Sequence, residues 1–430
     1  MTDTEIWRQA YKYRLRATKE QQRKLRQFCG CARYVWNQIL AKRQEEYQEY
    51  LEDIDSAQSF GEDISLVAKP KKINQFSFNY DLKRLKEDKE NSFLLTQCHS
   101  QVLQQKIQDL YISFKKFFNH EAGYPKFKSK GRGDTIRFPQ GIKLEEKQQR
   151  IYLPKIGFIR YRKSRDIEGK IKNVTVSCVN DSWYVSIQTE REIDIPKRDI
   201  KTAIENKDNK ALGIDMGAVR FCTFSNGRYE DTVKSLTVTE LDKRIAVLQK
   251  KLKNKEKGSK RRLKNIKRIS RLHQRKANIR NDHLHKLSTE ISKNHVIVCV
   301  EDLKIVNMTK SAKGTKINPG YNVKAKSGLN RSILAEGWGI FFKQLEYKQK
   351  KRGQIFLKIN PKNTSRKCPK CGHISKDNRL SQAKFLCTNC GYTANADENA
   401  AGNILRAGLA RLAQEVNFQK SQHCEPTEAR

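Results

Sequence analysis

Four cysteines carry the sharpest spacing in this chain: Cys368-x2-Cys371-x15-Cys387-x2-Cys390, within KCPKCGHISKDNRLSQAKFLCTNCGY. Two CxxC pairs at this separation are the ligand pattern of a two-knuckle ribbon, in which four thiolates complete a tetrahedron around Zn2+. Gly372 and Gly391 follow the two pairs, where each knuckle has to turn tightly. The expected site is closed and structural. His373 is a bystander to it, because four sulfurs leave no position open. A redox role for the CxxC pairs lacks a thioredoxin-like setting. Of the remaining cysteines, Cys29 and Cys31 fall in a helical stretch and read as buried, neutral thiols, while Cys98, Cys178, Cys222, Cys299 and Cys424 show no partner. An odd total of eleven with one tight cluster is metal spacing in a reducing compartment, not a disulfide framework.

Three carboxylates are placed for different chemistry. LGIDMG puts Asp215 on an apolar strand followed by Gly217, HVIVCVEDL is a buried strand ending at Glu301, and ADENAAGNIL opens a short helix at Asp397. Acids at strand ends beside an acid on a helix can hold two divalent ions about 4 Å apart, one activating a water and the other stabilising the leaving 3′ oxygen of a phosphodiester. Mg2+ suits such a set of hard oxygen ligands. Singly, Asp215 also reads as a strand-end turn residue and Asp397 as a helix N-cap. Glu301 ends a run of apolar residues, which favours a site. Asp302 lies beside it, and spacing does not choose between the two.

The elements that must hold these groups read as three regions. Residues 8–17 form a first strand, and Thr18-Lys19-Glu20-Gln21 is a capping-box signature opening a long helix with apolar Leu25, Phe28, Ala32, Val35, Trp36 and Leu40. A loop spans 61–74, and helix returns over Tyr80–Glu87 and Leu94–Phe118. Residues 124–193 alternate as strands, giving a β-barrel with a helical insertion. Residues 194–211 are linker-like. From Leu212 the order is strand, strand hairpin, helices, strand and a late acidic helix, which is that of an RNase H-type sheet. The fold class is therefore α+β and multidomain.

Charge sets the partner. The 430 residues hold 88 Lys and Arg against 47 Asp and Glu, a formal net charge of +41. An excess of this size calls for a polyanion and excludes an ordinary metabolic enzyme as the default. It concentrates between Lys250 and Lys276, which contain 14 Lys or Arg and one acid, Glu256. Leu241, Ile245, Leu248 and Leu252, then Leu263 and Ile266, recur at helical spacing, and Gly258-Ser259 breaks the run into a basic hairpin. One face is expected to pack while the other offers cations, including Lys260, Arg261, Arg262 and Lys264, to phosphates. No apolar window is long enough for a membrane span, and the N-terminus has no signal-peptide run, so a cytoplasmic protein is expected.

The motifs GIDMG, VEDL and NPKNTSRKCPKCG…FLCTNCG…ADENAAGNI, in this order, resemble the TnpB family of RNA-guided nucleases of insertion sequences, relatives of compact type V CRISPR effectors. CARYVWNQILAKR, YPKFKSKG, LPKIGFIRYR, RNDHLHKLS and GWGIFFKQLEYK also resemble family segments, so the likeness runs along nearly the whole chain. The resemblance implies a wedge barrel with its first strand at 1–17 and its remaining strands at 122–200, interrupted by a helical recognition lobe at 18–121. A RuvC nuclease domain at 201–365 then includes the basic hairpin at 238–291, and is followed by a zinc ribbon at 366–392, the last RuvC helix at 393–410 and a flexible tail at 411–430. It implies one protein per guide RNA derived from the transposon end, pairing of the guide with double-stranded target DNA, a short target-adjacent motif, and cleavage of both strands through one pocket. The protein would then be prokaryotic and nucleoid-associated when on DNA.

By the same resemblance Asp215, Glu301 and Asp397 are the Mg2+-binding catalytic acids. INQFSFNYDL and HSQVLQQKIQDL resemble the parts that contact the adjacent motif, which makes Gln75, Ser77, Asn79, Ser100, Gln101 and Gln104 candidates, with Gln140 from the barrel. Gln and Asn suit bidentate reading of adenine, and an ordinary polar helix face explains them equally well. Many members carry an arginine before the second cysteine pair. Here the segment reads LSQAKFLC, which leaves Lys384, a point charge without the bidentate fork, or Arg379 for that place. The rival activities are a transposase acting on transposon ends without RNA, a guided binder that does not cut, and a junction-resolving nuclease.

Overall fold

In the computed structural model, residues 2–70, 73–131, 133–197, 202, 210–232, 236–381 and 383–422 are described. The chain divides into two compact units, residues 5–193 and residues 1–4 with 194–430.

In the first unit, strand β1 (Thr2–Arg16) leads into helix α1 (Lys19–Phe60). The capping box forms as its chemistry requires: Thr18 Oγ1 accepts from Gln21 N, and Gln21 Oε1 accepts from Thr18 N at 3.0 Å. All six of the expected apolar positions of α1 are buried. Helices α2 (Gln75–Glu87), α3 (Phe93–Gln97) and α4 (Ser100–Phe118) follow. The helix expected over 94–118 is thus two. Cys98 and His99 are extended, Cys98 is buried, and its carbonyl accepts from Lys155 Nζ at 3.0 Å, so a tertiary contact overrides local helix propensity. The buried Arg43–Asp81 ion pair ties α1 to α2, with Lys42 Nζ also on Asp81 at 2.6 Å.

Strands β2 (Thr135–Phe138), β3 (Lys143–Glu145), β4 (Arg150–Leu153), β5 (Gly157–Arg162), β6 (Lys170–Val179) and β7 (Ser182–Pro196) join β1 in one sheet of order β2-β6-β7-β1-β5-β4-β3. The hydrogen-bonded order among the described residues runs from β2 at one end to β3 at the other. Alternate residues point inward, as in Trp183, Val185 and Ile187 of β7, and share one core with α1 and α4. The expected linker begins later than Asp194, because β7 continues to Pro196; most of its remainder lies outside the described residues.

In the second unit, β8 (Ala211–Met216), β9 (Arg220–Phe224) and β10 (Tyr229–Asp231) form a strand and hairpin, followed by helices α5 (Leu236–Lys253) and α6 (Lys260–Asn294). Strand β11 (Ile297–Glu301), helices α7 (Ile305–Met308), α8 (Val323–Glu336) and α9 (Trp338–Lys351), and strand β12 (Ile355–Ile359) come next. The sheet order is β10-β9-β8-β11-β12, with β8, β11 and β12 parallel. Residues 297–300 of β11 are all buried because both faces of the sheet are covered. Leu284, Leu287 and Ile291 of α6 pack with Trp338, Phe341 and Leu345 of α9 against Ile214 and Val300.

A small hairpin of β13 (Lys384–Leu386) and β14 (Thr393–Asn395) precedes helix α10 (Ala396–Gln422). This helix is not short, and the expected tail from 411 is helical as far as Gln422: Leu412 is buried with Ile297 and Cys299, so core packing extends it. Cys424 and Pro426 lie outside the described residues. No helix among the described residues is long and apolar enough to cross a membrane.

Candidate active site and metal centre

Parallel pairing of β8 with β11 runs from Ala211–Ile297 to Ile214–Val300, so the next step along each strand is Asp215 and Glu301. Helix α10 reaches this edge because β8 has no side chain at Gly213. A Cβ there would lie 2.2 Å from Ala401 O and 2.8 Å from Leu405 Cβ. That close approach carries Asp397, in the first turn of α10, to the same edge, where Asn395 Oδ1 caps the helix by accepting from Asp397 N at 2.9 Å. Asp215, Glu301 and Asp397 line one cavity of about 350 Å3 with Arg220, Thr364 and Arg379. Asp302 is absent from its lining and pairs with Lys304 at 2.6 Å, so geometry separates the two acids that spacing could not.

Electrostatics register the crowding. Burial, then Glu301 and Asp397, push the Asp215 carboxyl up to about 8, against the pull of Arg379. Burial also raises Glu301, opposed by a hydrogen bond from Thr364 and by Arg379. Arg379 Nη2 lies 3.1 Å from Asp397 Oδ1. Three acids in one cavity, one of them held neutral by burial and repulsion, form a donor set that fits divalent cations. Their oxygens are not drawn together as tightly as the thiols: among the described residues, only the four cysteines make a group of three or more His, Cys, Asp or Glu whose ligand atoms all lie within 4.8 Å.

The thiols meet as their spacing predicts. Cys368 Sγ is 3.6 Å from Cys390 Sγ, and Cys371 Sγ is 3.5 Å from Cys387 Sγ. A tetrahedron with Zn–S of about 2.3 Å has sulfurs about 3.8 Å apart, whereas a disulfide needs about 2.05 Å. The two knuckles are built alike. Gly372 N donates to Cys368 O and Gly391 N to Cys387 O, while Cys368 N and Cys387 N donate to His373 O and Tyr392 O. A backbone hydrogen bond at His373 leads the causes that hold the Cys371 thiol down at about 6. The cluster can therefore hold a zinc ion.

Sequence reasoning missed the polar residues behind both centres. Fully buried Asn378 bridges the knuckles, donating to Arg366 O and His373 O and accepting from Thr388 N. Thr364 Oγ1 donates to Glu301 Oε1, and Asn403 Nδ2 donates to Thr364 O and Lys367 O at 2.8 Å each. The only sequence signal was their place: Thr364 in NPKNTSRKC and Asn403 in AAGNIL beside the motifs, and Asn378 between the two cysteine pairs.

The other candidates divide. Asn79 of α2 and Gln104 of α4 line one groove with Lys83 and Lys86. Ser77 is used in the α2 cap with Asn74, and Ser100 Oγ accepts from Lys86 Nζ at 2.6 Å. Gln101 Oε1 is buried, while Gln75 and Gln140 are exposed and outside the groove lining. In the basic hairpin Lys260, Arg261 and Lys264 are exposed, but Arg262 Nη1 donates to Leu252 O and Lys255 O and closes the turn. Leu263 and Ile266, expected on the packed face, are exposed. Lys384 is exposed on β13, and Arg379 is the cation that lines the acid cavity.

Comparison with known proteins follows this layout. Residues 186–312 match a family described as "Probable transposase", residues 338–404 one described as "Cas12f1-like, TNB domain", and residues 7–52 one described as "Helix-turn-helix domain". In this structure 7–52 hold the later part of strand β1 and part of the single helix α1. The chain is 42% identical over 422 residues, covering 98% of each chain, to a protein of Escherichia coli (strain K12) described as "Putative RNA-guided DNA endonuclease InsQ". It is 28% identical to a Streptomyces pristinaespiralis protein described as "Putative RNA-guided DNA endonuclease", over 94% of this chain and 90% of that one. The cryo-EM structure of a Cas12f1–sgRNA–target DNA complex aligns over 90% of this chain and 83% of that chain, at 17% identity and a TM-score of 0.48.

Proposed function

The chain belongs to the TnpB family, and we propose that it is an RNA-guided DNA endonuclease of an insertion sequence. The observation that carries this reading is the meeting of Asp215, Glu301 and Asp397, from β8, β11 and α10, in one cavity. In this reading the second unit is a RuvC-type, RNase H-like nuclease over 201–365 with its last helix at 393–410, and 366–392 is its zinc ribbon. In the same reading 1–17 and 122–200 are the wedge strands, most of them in the first unit, and 18–121 is the recognition lobe.

Asp215, Glu301 and Asp397 would hold two Mg2+ ions, which supply Lewis acidity at the scissile phosphate and a nucleophile from water. The chain's own residues set the stage. To serve as a ligand Asp215 would release its proton to solvent, which its raised pKa opposes until a cation is bound. Thr364 fixes one oxygen of Glu301 and leaves the other for a cation in the cavity that Glu301 lines. Arg379 neutralises part of the acid charge from Asp397's side, and Arg220, stacked 3.8 Å over Tyr229, lines the cavity as a cation that would meet a phosphate there. The zinc ribbon would be held by Cys368, Cys371, Cys387 and Cys390; it ties down Arg379 through a β-bridge to Phe385 and the start of α10 through Ala396 N donating to Ala383 O at 2.9 Å.

The +41 charge supports RNA and DNA as partners. Guide pairing reads the target sequence, and the groove lined by Asn79 and Gln104 with Lys83, Lys86 and Glu87 reads the short adjacent motif, where amide side chains suit adenine. Lys260, Arg261 and Lys264 neutralise backbone phosphates. The test is purification from cells that also carry the flanking transposon DNA, sequencing of the bound nucleic acid, and incubation with a DNA library and Mg2+. A defined RNA with guide-matched, metal-dependent double-strand cuts is the expected result. A defined RNA with binding and no cuts would make the protein a guided repressor. Activity on transposon ends without RNA would make it a transposase.

A further inference from the structure

The segment between β11 and α8 leaves the sheet directly after Glu301 and is uniformly basic. Residues 303–335 contain seven Lys or Arg and no Asp or Glu. Lys310, Lys313, Lys316 and Lys324 are all exposed. Among these cations stand two large apolar side chains almost wholly in solvent: Ile317 and Tyr321 are each 90% exposed.

The loop that presents them is closed on itself. Thr315 N donates to Asn318 O and Gly320 N to Lys313 O, both at 2.9 Å. The limbs press so closely at Gly320 that a Cβ there would lie 1.6 Å from Ala312 O. Asn330 Nδ2 donates to Thr309 O at 3.0 Å and Lys326 Nζ to Met308 O at 2.5 Å, which anchors the base of the loop. Tyr321 is therefore held out on a built turn. An exposed ring costs free energy in water unless something covers it, and a surface with many lysines and no acid selects a polyanion as that cover.

We propose that Tyr321, with Ile317 beside the same turn, is a stacking platform for an unpaired base of single-stranded DNA, with Lys310, Lys313, Lys316 and Lys324 on its phosphates. A ring stacks only on a base freed from its pair, so the ligand is single-stranded. The loop follows β11, the strand that ends in Glu301, and on the nuclease reading the single strand it holds would be the one presented to the acid cavity. The choice of DNA rests on the nuclease reading above. The loop positions substrate and takes no part in the chemistry.

The test uses the full chain carrying Asp215→Asn, so that binding is read without cutting, and a short oligodeoxynucleotide containing 5-iododeoxyuridine. Irradiation is expected to form an adduct on Tyr321. Tyr321→Ala should weaken single-strand affinity by about fivefold to a hundredfold, and Tyr321→Trp should keep it. Duplex binding should be unchanged by either substitution. An equal loss on duplex and single strand would mean a structural role and overturn the proposal, as would an unchanged single-strand affinity. A loss confined to RNA of the same sequence would replace DNA with RNA and overturn it too. If guided cutting occurs while Tyr321→Ala binds as before, the platform alone fails. If Tyr321 forms the adduct and no cutting is ever found with the unsubstituted chain, the nuclease reading alone fails.

Discussion

Thr364 Oγ1 donates a 2.5 Å hydrogen bond to Glu301 Oε1 while Asn403 of α10 holds the Thr364 carbonyl at 2.8 Å. The ribbon-side loop, the strand-end acid and the helix that carries Asp397 are thereby joined through one residue. A carboxylate with one oxygen fixed by a hydroxyl is oriented before a cation arrives. A hydrogen bond to a charged group contributes about 1.5–3 kcal/mol. Thr364→Val should therefore lower the cleavage rate about tenfold or more and raise the Mg2+ concentration needed for half-maximal activity. Thr364→Ser should recover most of both, which a purely packing role for the threonine would not allow. Metal-titrated cleavage assays on the two variants read this directly.

The acid cavity should cost the metal-free protein stability. Asp215 keeps its proton up to about pH 8 in the folded chain, whereas an unfolded aspartate releases it near 3.8. Between these values the folded state holds a proton that the unfolded state lacks, so its stability falls as pH rises through that window. Asp215→Asn removes this slope. In metal-free protein the substitution should raise the thermal midpoint by several degrees at pH 8 and by much less at pH 5, since each pH unit of the window is worth about 1.4 kcal/mol. Cleavage should be abolished while RNA and DNA binding survive, because the carboxylate holds metal and not the duplex. Thermal melts with and without EDTA at the two pH values, beside a cleavage assay, check both halves. A variant that cuts at the parental rate would remove Asp215 from the site.

Much of the scaffold was legible because local chemistry decides it. The Thr18–Gln21 box, the helix break at Gly258-Ser259 and the buried VIVCV strand each follow from a few adjacent residues. The cysteine cluster was legible for the same reason, since its spacing states its geometry. The split at Cys98–His99 was not, because Lys155 from β4–β5 and the core decide it. Nor was the run of α10 beyond residue 410, which depends on where Leu412 lands. Choosing Glu301 over Asp302 needed the β8–β11 register, as neighbouring strand residues face opposite ways. Thr364 and Asn403 act through partners tens of residues away, and Asn378 joins the two knuckles from the stretch between the cysteine pairs; no short pattern marks such contacts.

The zinc centre should be a folding element of its own region. Its hairpin is only three residues on each strand, and its apolar core is small, with Phe385 and Tyr392 packed at 6.4 Å. Metal-binding free energy is then folding free energy for the ribbon. Cys387→Ser should lose zinc and solubility and leave about one zinc fewer per chain by elemental analysis. Activity should fall as well, because Arg379 and the Asn395 cap of α10 are positioned from the same ribbon. Full zinc occupancy in Cys387→Ser would contradict the four-thiolate assignment.

The seat of α10 on β8 predicts the last effect. At Gly213 the helix backbone comes so near that a methyl group would fall 2.2 Å from Ala401 O, well inside contact distance, with Leu405 close on the other side. Neither neighbour is a flexible side-chain tip, so Gly213→Ala has to push the helix outward. Overpacking of this kind costs about 1–3 kcal/mol. The larger consequence is geometric, because Asp397 rides on that helix four residues before Ala401 while Asp215 lies two residues beyond Gly213 on the strand. Separating two metal ligands by about 1 Å can cost a hundredfold in rate. Gly213→Ala should therefore remain folded with full zinc content, melt a few degrees lower, and cleave at least tenfold more slowly, a deficit that added Mg2+ restores only in part. Parental cleavage in that variant would show that the helix can shift without disturbing the acids, and that their spacing is set elsewhere.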